Sequence, residues 1–150
     1  MKLAEALILR ADLQKRMEQL RQRLADNALT QEGESPAEDP KELLQELDRC
    51  AEQLEGLIFR INLTNAQVKK DGKTMTELLA KREVLTLRVS ILRHMLEAAG
   101  RKTARATHSE VKILSTVDVG ALRRQTDDLS KQLRELDTAI QAANWLTDLM

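Results

Sequence analysis

Two histidines, His94 and His108, and a single cysteine, Cys50, are the side chains in this sequence best suited to hold a metal or attack a substrate. A di-iron site in a helical bundle takes two Glu-x-x-His pairs and two further inward glutamates. Here His94 precedes Glu97, the reverse order, and His108 with Glu110 is the only other imidazole near an acid in sequence. Two histidines cannot supply such a site. A nucleophilic cysteine needs a base and an orienting group, whereas Cys50 sits between Asp48 and Glu52, whose charges oppose a thiolate. The chain has no phosphate-binding loop, dinucleotide fingerprint or nucleophile elbow. The expectation is therefore a protein without catalytic residues, metal or cofactor, and not an enzyme.

The remaining polar candidates interrupt apolar seams. Arg10, Asn65 and Arg82 fall on seam positions and Asn62 lies close by. A buried asparagine at such a position can set register and partner number at a cost in stability. A buried guanidinium requires an acid or several carbonyls around it. Two readings stand side by side. Either the arginines lie at the bundle edge and extend their charge outward, or Arg10, Asn62, Asn65 and Arg82 form a polar cluster that organises an interface or holds an anion.

The elements that must position these residues are helices. Apolar residues recur at alternating three- and four-residue steps through four stretches, the pattern of a helix that buries one stripe against other helices. The first runs over about 2–28, with the seam Leu3, Ala6, Arg10, Leu13, Met17, Leu20, Leu24, Asn27. Asp12 and Arg16, four apart, support its outer face. The second runs over about 40–69, with the seam Leu44, Leu47, Ala51, Leu54, Ile58, Ile61, Asn65, Val68, and Leu43, Cys50 and Leu57 widen its apolar face. Asp39 is its expected cap, followed by Pro40 and Glu42. An acidic loop over 30–39 precedes it, and Lys69-Lys70-Asp71-Gly72 reads as a turn after it. The fourth helix, about 119–148, carries Val119, Leu122, Thr126, Leu129, Leu133, Leu136, Ile140 and Ala143.

The third helix, about 75–99, is apolar on two sides. Leu78, Arg82, Leu85, Val89, Leu92, Leu96 and Ala99 form one stripe; Val84, Leu87, Ile91, His94 and Ala98 form another nearly opposite. Two apolar sides need two partners. Residues 109–117 then partly alternate and are β-branched, which predicts a short strand or hairpin segment near 109–118. A lone strand needs a pairing partner. Val84, Leu87, Ile91, His94, Val111 and Ile113 are accordingly the candidate interface residues of a homo-oligomer. The expected fold is mainly α: a single domain over 1–150, an antiparallel bundle of four long helices or a coiled-coil-like subunit, built into a homo-oligomer.

Composition supports this class. Phe59 and Trp145 are the only aromatics, there are five glycines and two prolines, and 32% of residues are charged at zero net charge. That is too little Gly and Pro for a strand-and-turn fold, and the interior must be aliphatic. Charge is uneven: residues 31–42 hold Glu32, Glu34, Glu38, Asp39 and Glu42 against Lys41, whereas residues 69–105 hold ten Lys or Arg against four acids. Such asymmetry suits packing between unlike elements or subunits. Binding of nucleic acid or an anion through the basic third helix and Arg101, Lys102 and Arg105 is a competing reading, weakened by the lack of stacking aromatics. The default is no nucleic acid. The N-terminus lacks a signal-peptide layout, and the longest apolar run, Ala6 to Leu9, falls far short of the roughly 20 residues that span a bilayer. A cytoplasmic location without stable membrane insertion is expected.

Several strings are more specific than any heptad. Met1-Lys2-Leu3-Ala4-Glu5-Ala6-Leu7-Ile8-Leu9-Arg10-Ala11-Asp12-Leu13-Gln14, Gln31-Glu32-Gly33-Glu34 with Glu38-Asp39-Pro40, Arg60-Ile61-Asn62 with Thr64-Asn65-Ala66, Ser115-Thr116-Val117-Asp118-Val119, and Arg134-Glu135-Leu136-Asp137 with Asn144-Trp145 resemble a bacterial septicolysin-like family of small helical proteins, end to end. The resemblance implies helical homo-oligomers, a hexamer being the even-numbered example, and its label implies a pore-forming cytolysin. The residues themselves favour a homo-oligomeric scaffold or interaction protein whose partner is a second copy of the chain.

Overall fold

The computed structural model describes residues 1–101 and 111–150. Four helices dominate it: α1 (Leu3–Asp26), α2 (Pro40–Gln67), α3 (Met75–Gly100) and α4 (Val119–Leu146). Strands β1 (Lys69–Lys70) and β2 (Lys73–Thr74) pair as a hairpin between α2 and α3. Its two-residue turn is Asp71-Gly72, with φ of 51° and 81°. A tight hairpin turn that follows the strand twist needs positive φ at both positions, and Asp-Gly supplies it at low cost.

Caps explain where the helices begin. Asp39 accepts a hydrogen bond from Lys41 N at 2.9 Å, and Pro40 takes the first helical position of α2. Thr74 and Glu77 form a reciprocal box on α3: Glu77 N donates to Thr74 Oγ1 at 3.2 Å and Thr74 N to Glu77 Oε2 at 2.6 Å. On α4 the Asp118 carboxylate accepts from Ala121 N at 3.0 Å.

Contacts gather into two compact units. The first comprises Met1–Lys70 with Ala143–Met150, the second Asp71–Ala142. In the first, α1 and α2 run antiparallel, because Arg16 pairs with Glu46 and Arg23 with Glu38, the partner number falling as the first rises. Arg16 thus reaches across to α2 rather than along its own helix to Asp12. Leu3, Ala6, Leu13 and Leu20 of α1 interleave with Leu43, Cys50, Leu57 and Ile61 of α2. The chain end closes over this core. Leu149 joins it, Leu3 N donates to Thr147 O and Leu149 N to Met1 O, each at 2.9 Å. Met150 N donates to the buried Thr64 Oγ1 at 3.0 Å, and Arg60 Nε to Met150 O at 2.6 Å.

In the second unit α3 and α4 are antiparallel by the same test: Arg82 Nη1 lies 3.0 Å from Asp137 Oδ1, and Arg93 Nη2 donates to Ser130 Oγ at 3.2 Å. Leu85, Val89 and Leu129 form the core, with Leu92, Leu133 and Leu136 packed against it.

Two expectations are corrected. Residues 111–117 are irregular with bends, not a strand, while 102–110, including the start of the expected segment, lie outside the described residues. Among the described residues the named strands are β1 and β2 alone. β-branching supplied the propensity, but strand structure follows pairing and burial, and Val111, Ile113 and Leu114 all stay exposed. The second correction concerns α2. Its buried stripe is Leu43, Cys50, Leu57, Ile61 and Thr64, and Leu44 is 50% exposed. The seam read through 44, 51 and 58 is rotated by one residue from the line that meets α1.

Candidate functional site

α3 carries two apolar faces, and α4 covers one of them. Leu85 and Val89 are buried, whereas on the opposite side Val84, Leu87 and Ile91 are 67, 62 and 59% exposed. Residues three and four apart share a helical face, so these three form a continuous stripe that His94 and Ala98, both exposed, extend toward the C-terminus. Met95 flanks it, also exposed. Exposure of single apolar residues is ordinary; a contiguous apolar patch on a surface helix marks an interaction site. The helix forms because its other face packs on α4 and its first turn is boxed by Thr74 and Glu77, so the stripe is presented on a rigid element.

Charge along its edges is segregated apart from Arg93, which stands on the acidic side. Lys81 and Arg88 project on one side, Glu83 and Glu97 on the other, and all four are exposed. Beside the acidic edge, Thr86, Ser90, Arg93, His94 and Glu97 with Leu133 line a hollow of about 330 Å³. Arg93 is held there by Ser130 of α4.

A second apolar surface lies on the first unit and was not singled out from sequence. Met17 and Leu24 of α1 and Leu47 and Leu54 of α2, all half-buried, floor a groove of about 470 Å³ along the helix–helix seam. Gln14, Glu18 and Arg21 stand on its α1 side. On the α2 side the apolar wall continues through Leu44, Ala51 and Ile58, topped by the exposed Asp48 and Glu55. The opposite side of the hairpin is shut by Arg16 with Glu46 at 2.6 Å and by Arg23 with Glu38. The available signal was the doubled stripe of α2, Leu43-Cys50-Leu57 beside Leu44-Ala51-Ile58, which exceeds what one partner helix can cover.

The polar candidates fall on both units. Arg82 is engaged by Asp137 across α3 and α4. Arg10 and Asn65 are half-buried and Asn62 exposed, all on the first unit. Cys50 is buried among Leu43 and Leu57. Among the described residues no group of three or more His, Cys, Asp or Glu is placed to hold a metal, and no helix is long and apolar enough to cross a membrane. Val111 and Ile113 lie exposed on the irregular segment before α4.

Residues 10–149 match DUF6847, described as a family of unknown function. The chain belongs to this family. That assignment overturns the septicolysin-like resemblance: matching strings in a charged helical protein are weaker than a match along nearly the whole chain, and no septicolysin-like protein stands among the matches. This DUF6847 chain is also similar to a crystal structure of a functionally unknown conserved protein from Corynebacterium diphtheriae, 36% identical, covering 100% of this chain and 99% of that one with a TM-score of 0.91. No curated protein matches the chain. The family and its structural neighbour are both of unknown function.

Proposed function

We propose that the protein is a homo-oligomeric helical scaffold, without catalytic activity, that assembles through the outer face of α3. The supporting observation is the exposure of Val84, Leu87 and Ile91 on a helix whose other face is already covered. Fully burying a Val, Leu or Ile side chain contributes about 1.5–3 kcal/mol. Three of them together reach the same order as the roughly 4–15 kcal/mol cost of bringing two molecules together. The surface that receives α3 must therefore contribute apolar area of its own. A second copy offers it at no further cost in sequence, and closed symmetric assemblies of identical chains are the commonest oligomers.

Light scattering on the purified protein tests this reading. The expected result is a discrete mass at a multiple of the 17.0 kDa chain, reduced by Ile91→Glu while the helical circular dichroism persists. A monodisperse monomer, or a variant that keeps the wild-type mass, refutes it.

A further inference from the structure

We infer that the exposed face of α3 on one copy seats in the α1–α2 groove of a second copy, a head-to-tail contact. The inference rests on the self-association proposed above and names the surface that receives α3. Two features fit the groove to α3. First, the groove is the complementary shape: a channel floored by Met17, Leu24, Leu47 and Leu54 between two antiparallel helices takes a third helix along its length. Second, its charge fits. The basic edge of α3, Lys81 and Arg88, meets the acidic α2 wall, Asp48 and Glu55. The acidic edge, Glu83 and Glu97, then faces the α1 wall, where Gln14 offers an amide N–H and Arg21, paired with Glu18 at 3.2 Å, leaves no net charge to repel it. Only one direction of α3 in the groove produces this match, so charge sets orientation as well as attraction.

By contrast, two α3 faces packed antiparallel would set Glu83 near Glu97 of the other copy and Arg88 near its own counterpart. Like charges so placed disfavour that pairing. Two α3 faces packed parallel would set the basic edge of each against the acidic edge of the other, so charge admits that pairing, but it would leave both grooves of the pair open. Head-to-tail packing covers both surfaces of every copy and, being heterologous, closes into a ring or continues as a filament.

Mixing separates the alternatives. Ile91→Glu spoils the α3 face and Leu54→Glu spoils the groove. Each variant alone should sediment at the 17.0 kDa chain mass. Mixed in equal amounts, they should form a species of twice that mass that grows no further, because each has one intact half. If Leu54→Glu assembles like wild type, or the mixture stays monomeric while wild type assembles, α3 is received elsewhere and the inference fails with the self-association intact. If wild type is itself monomeric, the self-association fails. Surface charges guard against a misfolded groove variant. Asp48→Lys with Glu55→Lys should raise the dissociation constant at least tenfold, and adding Lys81→Glu with Arg88→Glu on the same chain should restore it. A combined variant that does not recover overturns the inference.

Discussion

Arg23 Nε lies 3.0 Å from Glu38 Oε2 and 3.2 Å from Oε1, so one guanidinium spans both oxygens of a carboxylate at the far end of the acidic connection. Asn27 completes the tie: its Oδ1 accepts from Glu38 N at 2.9 Å, and its Nδ2 donates to Arg23 O at 2.8 Å. The loop between α1 and α2 is thereby fastened to the last turn of α1.

That fastening is pH-dependent. The hydrogen bond from Arg23 holds the Glu38 carboxyl below the usual glutamate range. A folded-state value below the unfolded one means the stabilisation is present above the ordinary glutamate value and is lost as pH falls through the depressed one. Glu38→Gln should therefore lower the melting temperature slightly at neutral pH, and the gap from wild type should close in acid. Thermal unfolding across pH 3–8 measures it; a gap independent of pH refutes the assignment.

The register of α2 is tested by neighbouring leucines. Leu43→Ala removes a core side chain and should cost about 2–5 kcal/mol. Leu44→Ala touches a residue 50% exposed and should cost well under half as much. Urea unfolding of both variants decides, and equal losses would return α2 to the seam through Leu44.

The N-terminus of α2 depends on a single cap. Asp39→Ala removes the acceptor of Lys41 N and should cost about 0.5–2 kcal/mol. Asp39→Asn, which keeps an oxygen in place, should recover most of it. An unchanged unfolding midpoint in the alanine variant would show that the cap contributes nothing.

The chain end is pinned by Thr64. Its hydroxyl accepts from Met150 N at 3.0 Å and donates to Arg60 O at 2.8 Å. Thr64→Val keeps the shape and leaves a partly buried N–H without its acceptor, at a cost of about 1–3 kcal/mol. Amide exchange should quicken at Met150 and Leu149 first. Exchange unchanged at both would show that the segment is held by packing alone.

The periodic seams of α1, α3 and α4 were legible in the sequence because alternating three- and four-residue steps name the residues that share a helical face. Leu13, Leu20, Leu85, Val89, Leu129 and Ile140 all read correctly as buried. The second stripe of α3 was legible for the same reason. Periodicity does not say which of two adjacent apolar stripes a neighbour covers, so although Leu47, Leu54 and Ile61 of the α2 seam meet the core, its Leu44-Ala51-Ile58 side does not, and the groove built from two helices stays hidden in the sequence. Nor does β-propensity by itself make a strand: of the segment expected at 109–117 the described residues 111–117 are irregular, while a hairpin of two-residue strands forms at 69–74 around Asp71-Gly72. Spacing along the chain determined which side chains stand together. Only tertiary structure decided which of those faces are covered, because burial belongs to the partner surface as much as to the residues that meet it.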